Sequence, residues 1–128
     1  MIRSSILLVL ALGFCQGDET LTGYGAADVT WSLESLNGTE FPATATLTFP
    51  NEGEISGKAP CNGFGGEQSA PYPWFKAENI ISTQLACADI EAENTFFSAL
   101  NSMSISEVAG DTLILSNEDG QEMVFRAN

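Results

Sequence analysis

Three cysteines, Cys15, Cys61 and Cys87, are the side chains best suited to nucleophilic, redox or metal chemistry in this 128-residue chain, and no histidine accompanies them. A cysteine attacks as its thiolate, and at neutral pH the usual partner that forms one is an imidazole. A serine triad lacks its ordinary base for the same reason. Carboxylates are plentiful, with 17 Asp and Glu against four Lys and Arg. Hydrolysis by two carboxylates needs a pair a few ångströms apart in a cleft, which sequence spacing neither reveals nor excludes. Glu91 and Glu93 are no ready-made pair, because residues two apart on a helix face different sides. Calcium would need acidic or amide oxygens at the alternating spacing of an EF-hand loop. Asn117-Glu118-Asp119-Gly120 comes nearest, but it lies between Leu113-Ile114-Leu115 and Met123-Val124-Phe125 and so reads as a hairpin turn. The expectation is a protein without catalytic residues, metal or cofactor.

The compartment decides what the cysteines do. Met1-Ile2-Arg3 supplies a positive start and Ile6 to Leu12 an apolar run, a pattern that reads as a secretory signal and is too short to span a membrane. Two endings fit. A signal peptidase would cut near Cys15, or Cys15 would be lipidated as in a bacterial lipoprotein. Leu12-Gly13-Phe14-Cys15 matches a lipobox only in part, since Phe14 is bulky, but the polar stretch directly after Cys15 is how lipoproteins begin. The mature domain then holds two cysteines in an oxidising compartment, and a Cys61–Cys87 disulfide is the expected pairing; two buried free thiols are the alternative. Closing a loop of that length would stabilise the fold by about 3.5 kcal/mol on the chain-entropy model. With two cysteines and no histidine, a zinc site lacks ligands.

A net charge of −13, with only Lys58, Lys76 and Arg126 as cations beyond the signal, excludes nucleic acid as a partner because nothing could neutralise a run of phosphates. Anionic membrane surfaces are disfavoured too, so membrane attachment would come through a lipid on Cys15. The acids are scattered, as on a soluble, self-repelling surface.

Roughly 110 residues follow the signal, enough for one domain. Residues 16–27 are Gly- and acid-rich and read as a flexible tether, with the domain over residues 28–128. Val29, Trp31 and Leu33 alternate with polar residues as a half-buried strand, and Asn37-Gly38 then turns the chain. Ala43, Ala45, Leu47 and Phe49 alternate with threonines as a second strand. Pro50 to Gly53 turns into a returning strand, Glu54 to Ala59, in which Gly57 marks a bulge or close packing. Pro60 to Gly66 can take positive φ at Asn62 and Gly63 and permits close approach at Gly65-Gly66. Pro71 and Pro73 confine the stretch from Gln68 to Phe75 to an edge or loop. Ala77 to Thr83 is a short strand. From Asp89 to about Met103, two rows of apolar residues, including Phe96, Phe97 and Leu100, predict a helix capped by Asp89, with Glu91 and Glu93 near its positive end. Ile105 to Val108 and a final hairpin, Thr112 to Arg126, follow. Strands, one helix, then strands argue for an α+β fold: a curved antiparallel sheet, a cracked half-barrel, with one covering helix.

These pieces, in this order, carry a resemblance. Trp31-x-Leu33, Leu47-Thr48-Phe49, Ile55-Ser56-Gly57, Cys61-Asn62-Gly63-Phe64 with Gly66, Ser82-Thr83-Gln84-Leu85-Ala86-Cys87, Glu93-x-x-Phe96-Phe97-x-x-Leu100, Leu113-Ile114-Leu115 and Gly120 with Val124-Phe125 resemble a META domain of the HslJ-like kind, over about Asp28 to Arg126. Pro60 departs from the pattern, where members often have glycine. The resemblance implies an exported or envelope-associated protein, linked loosely to stress tolerance, motility or secretion, with no established reaction. It also implies a fold similar to secretin-pilot lipoproteins, an analogy that assigns no function by itself. The leading expectation is a non-enzymatic, lipid-anchored envelope domain that binds a protein partner or an apolar ligand. Its candidate binding residues are Asn62, Gly63 and Phe64 in the loop and Tyr72, Trp74 and Phe75 as exposed aromatics, although a flap over the core is the favoured reading of those three, because a small domain needs aromatic bulk. The alternative is an exported protease inhibitor that inserts residues 16–27 into an enzyme's cleft.

Overall fold

The structure, a computed structural model, describes residues 17–128; the signal segment and Cys15 lie outside the described residues. A 3-10 turn, Leu21–Tyr24, precedes β1 (Trp31–Leu36), β2 (Thr39–Glu40), β3 (Thr46–Thr48), β4 (Gly53–Lys58), β5 (Gly63–Gln68) and β6 (Glu78–Ser82). Helix α1 (Ile90–Ser102) and strands β7 (Ile105–Ala109), β8 (Thr112–Ser116) and β9 (Glu122–Ala127) complete it. All neighbouring strands run antiparallel, in the order β6-β5-β4-β3-β1-β9-β8-β7, with β2 paired to β1 off that path. The sheet is strongly curled, a half-barrel with one helix, which is the α+β architecture expected.

The period-two patterns explain which face is inside. Trp31 and Leu33 from β1, Leu47 from β3, Ile55 from β4, Leu113 and Leu115 from β8 and Met123 and Phe125 from β9 are all buried, and Phe96 and Leu100 of α1 close the interior. The Trp31 indole N–H donates to the Ala26 carbonyl at 3.1 Å, which satisfies its one polar atom inside the core. Helix α1 ends as its apolar stripe predicts, but Asp89 makes no side-chain capping bond. The second strand is shorter than its alternation suggested, spanning only Thr46–Thr48, although the Ala45 carbonyl still accepts the Leu33 N–H at 2.9 Å.

Glycines build two close approaches. A Cβ at Gly57 would clash with the Thr46 carbonyl and with Phe64, so this position allows close strand packing. A Cβ at Gly66 would lie 2.6 Å from Ile80 Cδ1 and 2.7 Å from the Glu78 carbonyl, at the point where the register of β5 against β6 shifts. The segment from Gln68 to Phe75 is irregular, as its prolines require, but it also reaches the far edge of the sheet. Trp74 forms a bridge with Ile105 of β7, Phe75 N–H donates to the Ser104 carbonyl at 3.0 Å, and Ser106 N–H donates to the Pro73 carbonyl at 2.7 Å. This strap joins the two ends of the curled sheet.

The expected tether is corrected in its greater part. Residues 18–27 are packed on the domain: Leu21 and Ala26 are fully buried, and Tyr72 N–H donates to the Glu19 carbonyl at 2.6 Å. The isolated apolar residues of a Gly- and acid-rich run are the ones that dock, and Gly25 at φ 111° turns the chain out of the 3-10 turn toward β1.

Candidate functional site

The connection between β4 and β5 carries Cys61 and Asn62 to the first turns of α1. There Glu93, only 4% exposed, points inward rather than into solvent. Its Oε1 accepts the backbone N–H of Cys61 at 2.8 Å and that of Asn62 at 2.9 Å, while Oε2 accepts Asn62 Nδ2 at 2.6 Å. None of the ion pairs among the described residues involves Glu93. A carboxylate out of water is stabilised by hydrogen bonds instead, and three donors converge on this one.

Asn62 is the hub. Its Nδ2 also donates to the Leu85 carbonyl at 2.9 Å, and its Oδ1 accepts the Leu85 N–H at 2.7 Å and the Thr83 hydroxyl at 2.8 Å. One amide therefore reads the backbone of the loop 83–87 on both its donor and acceptor groups, as an added strand would. The Cys61–Cys87 disulfide, with Cα atoms 5.6 Å apart, closes the same loop at its other end. Ile90 N–H donates to the Cys87 carbonyl at 3.2 Å, which ties the loop to the start of α1. A cleft of about 280 Å³ opens between loop and helix, lined by Asn62, Thr83, Leu85, Glu93, Asn94 and Phe97. Leu85, which lines it, is 68% exposed, and Ile81 of β6, 77% exposed, is a second large apolar side chain held in solvent.

The sequence-derived candidates fall into three groups. Cys61 and Cys87 form the bridge. Asn62 and Phe64 are buried, the latter packed edge-on to Phe97 with ring centroids 5.3 Å apart and tilted on Phe96 at 5.7 Å, while Gly63 is exposed at the start of β5. Asn62 and Phe64 are held inward and shape the loop, with Asn62 also at the wall of the cleft. Of the three aromatics expected at the surface, Phe75 is buried at 3% exposed, because the strap turns it into the core, and Tyr72 is half-buried with its hydroxyl accepting the Val108 N–H at 3.0 Å. Only Trp74, at 58%, is open to solvent.

Glu93 was not expected here, since an acid in the first turn of a helix usually sits in water at the positive end of the dipole. Its signal lies in the stripe itself: position 93 falls on the same face as Phe96, Ala99 and Leu100. Among the described residues no group of three or more Cys, Asp or Glu is placed to hold a metal ion.

A family model described as META domain matches residues 20–128. The fold is similar to the solution structure of a protein from Burkholderia xenovorans, at 19% identity and TM-score 0.68, covering 84% of this chain and 86% of that one. It is also similar to the crystal structure of a DUF4847 family protein from Bacteroides vulgatus, at 16% identity and TM-score 0.66, covering 84% and 97%. No curated protein matches the sequence significantly.

Proposed function

This chain belongs to the META domain family, and on that footing we propose that it is a non-enzymatic binding domain of the cell envelope, exported and anchored by a lipid on Cys15. Its recognition element is the loop 82–87 with the adjoining end of β6, and its partner is a protein. The observation that carries this reading is the use of the interior polar network. A buried carboxylate, a buried amide and the disulfide all act on one surface loop, and that loop presents Leu85, four residues after the exposed Ile81. Fixing a loop before binding lowers the ordering cost at the encounter, and exposed apolar side chains on a fixed frame are what a protein interface uses as anchors.

A protein suits the surface better than an apolar small molecule. The half-barrel is filled by its own side chains, with Trp31, Phe49, Phe96 and Phe125 at most 1% exposed. The most apolar cleft, around Leu36, Phe41, Pro42 and Ala92, holds about 140 Å³, below the roughly 300 Å³ at which ligand pockets begin, and the larger hollows of about 360 and 410 Å³ are lined chiefly by Asn, Ser, Thr and Lys. The inhibitor reading needs a free N-terminal arm, and residues 18–27 are packed on the domain. Export is supported by the apolar run from Ile6 to Leu12 and by the disulfide.

A photo-crosslinking side chain placed at position 85 in the native envelope tests the loop. A single discrete protein adduct, absent when the probe sits at exposed Gly110, is expected; equal labelling from both positions overturns the assignment. Intact mass of the native protein tests the anchor. A mass starting at Cys15 with diacylglycerol and acyl groups is expected, and a mass starting after Cys15 refutes lipidation.

A further inference from the structure

The docked arm changes what a lipid on Cys15 would do. Asp18 packs its backbone against Gly23, the Glu19 carbonyl is bonded to Tyr72 N–H, and Leu21 is fully buried, so the chain is held from about residue 18 onward. Only Gln16 and Gly17 lie between Cys15 and Asp18, and the three peptide steps span only about 10 Å at full extension. A lipidated Cys15 therefore cannot suspend this domain at a distance. Its arm-bearing face must lie within the headgroup region of the bilayer.

That face carries the residues such a position calls for. Tyr24 is 52% exposed and stacks on Tyr72 with ring centroids 4.6 Å apart and planes 13° from parallel. Trp74, 58% exposed, follows Tyr72 by two residues on the strap. Tyrosine and tryptophan are the side chains that settle at a membrane–water interface, with their rings among the headgroups. Asp18 and Glu19 border the patch, so zwitterionic headgroups suit it and anionic ones do not.

We infer that Tyr24 and Trp74 form a membrane-interface face that rests on zwitterionic lipid beside the anchor. This rests on the reading of Cys15 as the lipid-bearing residue, and the two are tested apart. The intact mass of the native protein reads the anchor. For the face, the Cys15–Asn128 chain with its disulfide oxidised is coupled through the Cys15 thiol to maleimide-bearing phosphatidylethanolamine in phosphatidylcholine vesicles, so the anchor is supplied chemically and flotation verifies it. The chain has two tryptophans, and Trp31 is fully buried in the core, so the emission lost in W74F is that of Trp74. The expected result is a blue shift of the Trp74 emission and at least a twofold quenching by lipids brominated near the headgroup, with weaker quenching when the bromines lie deeper. Trp74 emission unshifted and unquenched in coupled, floated vesicles overturns the inference and leaves the patch open to a protein partner.

Discussion

Substitution of Asn62 by alanine isolates the clamp that the proposed function depends on. The side chain makes four hydrogen bonds, one of them to the buried Glu93 carboxylate. Thr83 and Leu85 are exposed and can take water in exchange, so their three bonds contribute only about 0.5 kcal/mol each, the low end for net intramolecular bonds. Glu93 is not exposed, and losing a bond to a charged group there costs about 1.5–3 kcal/mol. The expected loss is roughly 3–4.5 kcal/mol, or about 15 °C in midpoint for a domain of this size. Thr83→Ala removes a single exposed bond and should lose under about 1 kcal/mol. Urea unfolding with the disulfide intact measures both, with the slope unchanged if only the native contacts are affected. Combined with Glu93→Gln, the Asn62→Ala effect should fall short of additivity by about 1 kcal/mol or more, because the two share a bond. A loss below about 1 kcal/mol for Asn62→Ala, or additivity within about 0.5 kcal/mol in the double variant, would refute the clamp.

Two further outcomes follow from other parts of the molecule. Leu21→Ala should cost about 2–4 kcal/mol in the same assay, since Leu21 is fully buried; a change within 0.5 kcal/mol, the size expected of a surface position, would return residues 18–27 to the status of a tether. The Arg126 guanidinium, hydrogen-bonded to both oxygens of Glu34 at 3.2 and 3.3 Å, holds the Glu34 carboxyl below its ordinary range. A depressed folded-state value stabilises above the unfolded one and is lost as pH falls through it, so wild type should lead Glu34→Gln at neutral pH and converge with it in acid. Both groups are exposed, and the gap should be small and shrink with salt. A gap that persists at low pH would contradict this.

The legible parts of the fold were those written in local periodicity. Trp31 and Leu33 show their strand by alternation, and Phe96, Phe97 and Leu100 their helix by spacing. Asn37-Gly38 shows its turn by residue type, and both residues take positive φ. β5 was not read as a strand, because Gly63, Gly65 and Gly66 carry no pattern and their value lies in what approaches them: Gly66 makes room for Ile80, fourteen residues on. The N-terminal arm was missed for a related reason, since Leu21 and Ala26 are single apolar residues whose burial depends on the distant strap. Within the site, the cysteine pairing was readable from compartment and count, and Asn62 from its motif. The partners of Asn62 were not, because they come from residues 21 to 31 positions further along the chain.

The order of strands has a consequence for when this molecule can fold. β9, the last strand to be made, lies near the middle of the sheet between β1 and β8, with Ala127 opposite Trp31 at the edge of the core. A nascent chain has β1, β3, β4 and β5 available but no β9 to join them to β8, and the joining contact, Trp31 to Ala127, spans almost a hundred residues. Such long-range pairing makes closure slow and leaves it to the end. The two halves of the sheet stay apart until β9 is present, and the molecule closes only when that strand pairs with both β1 and β8.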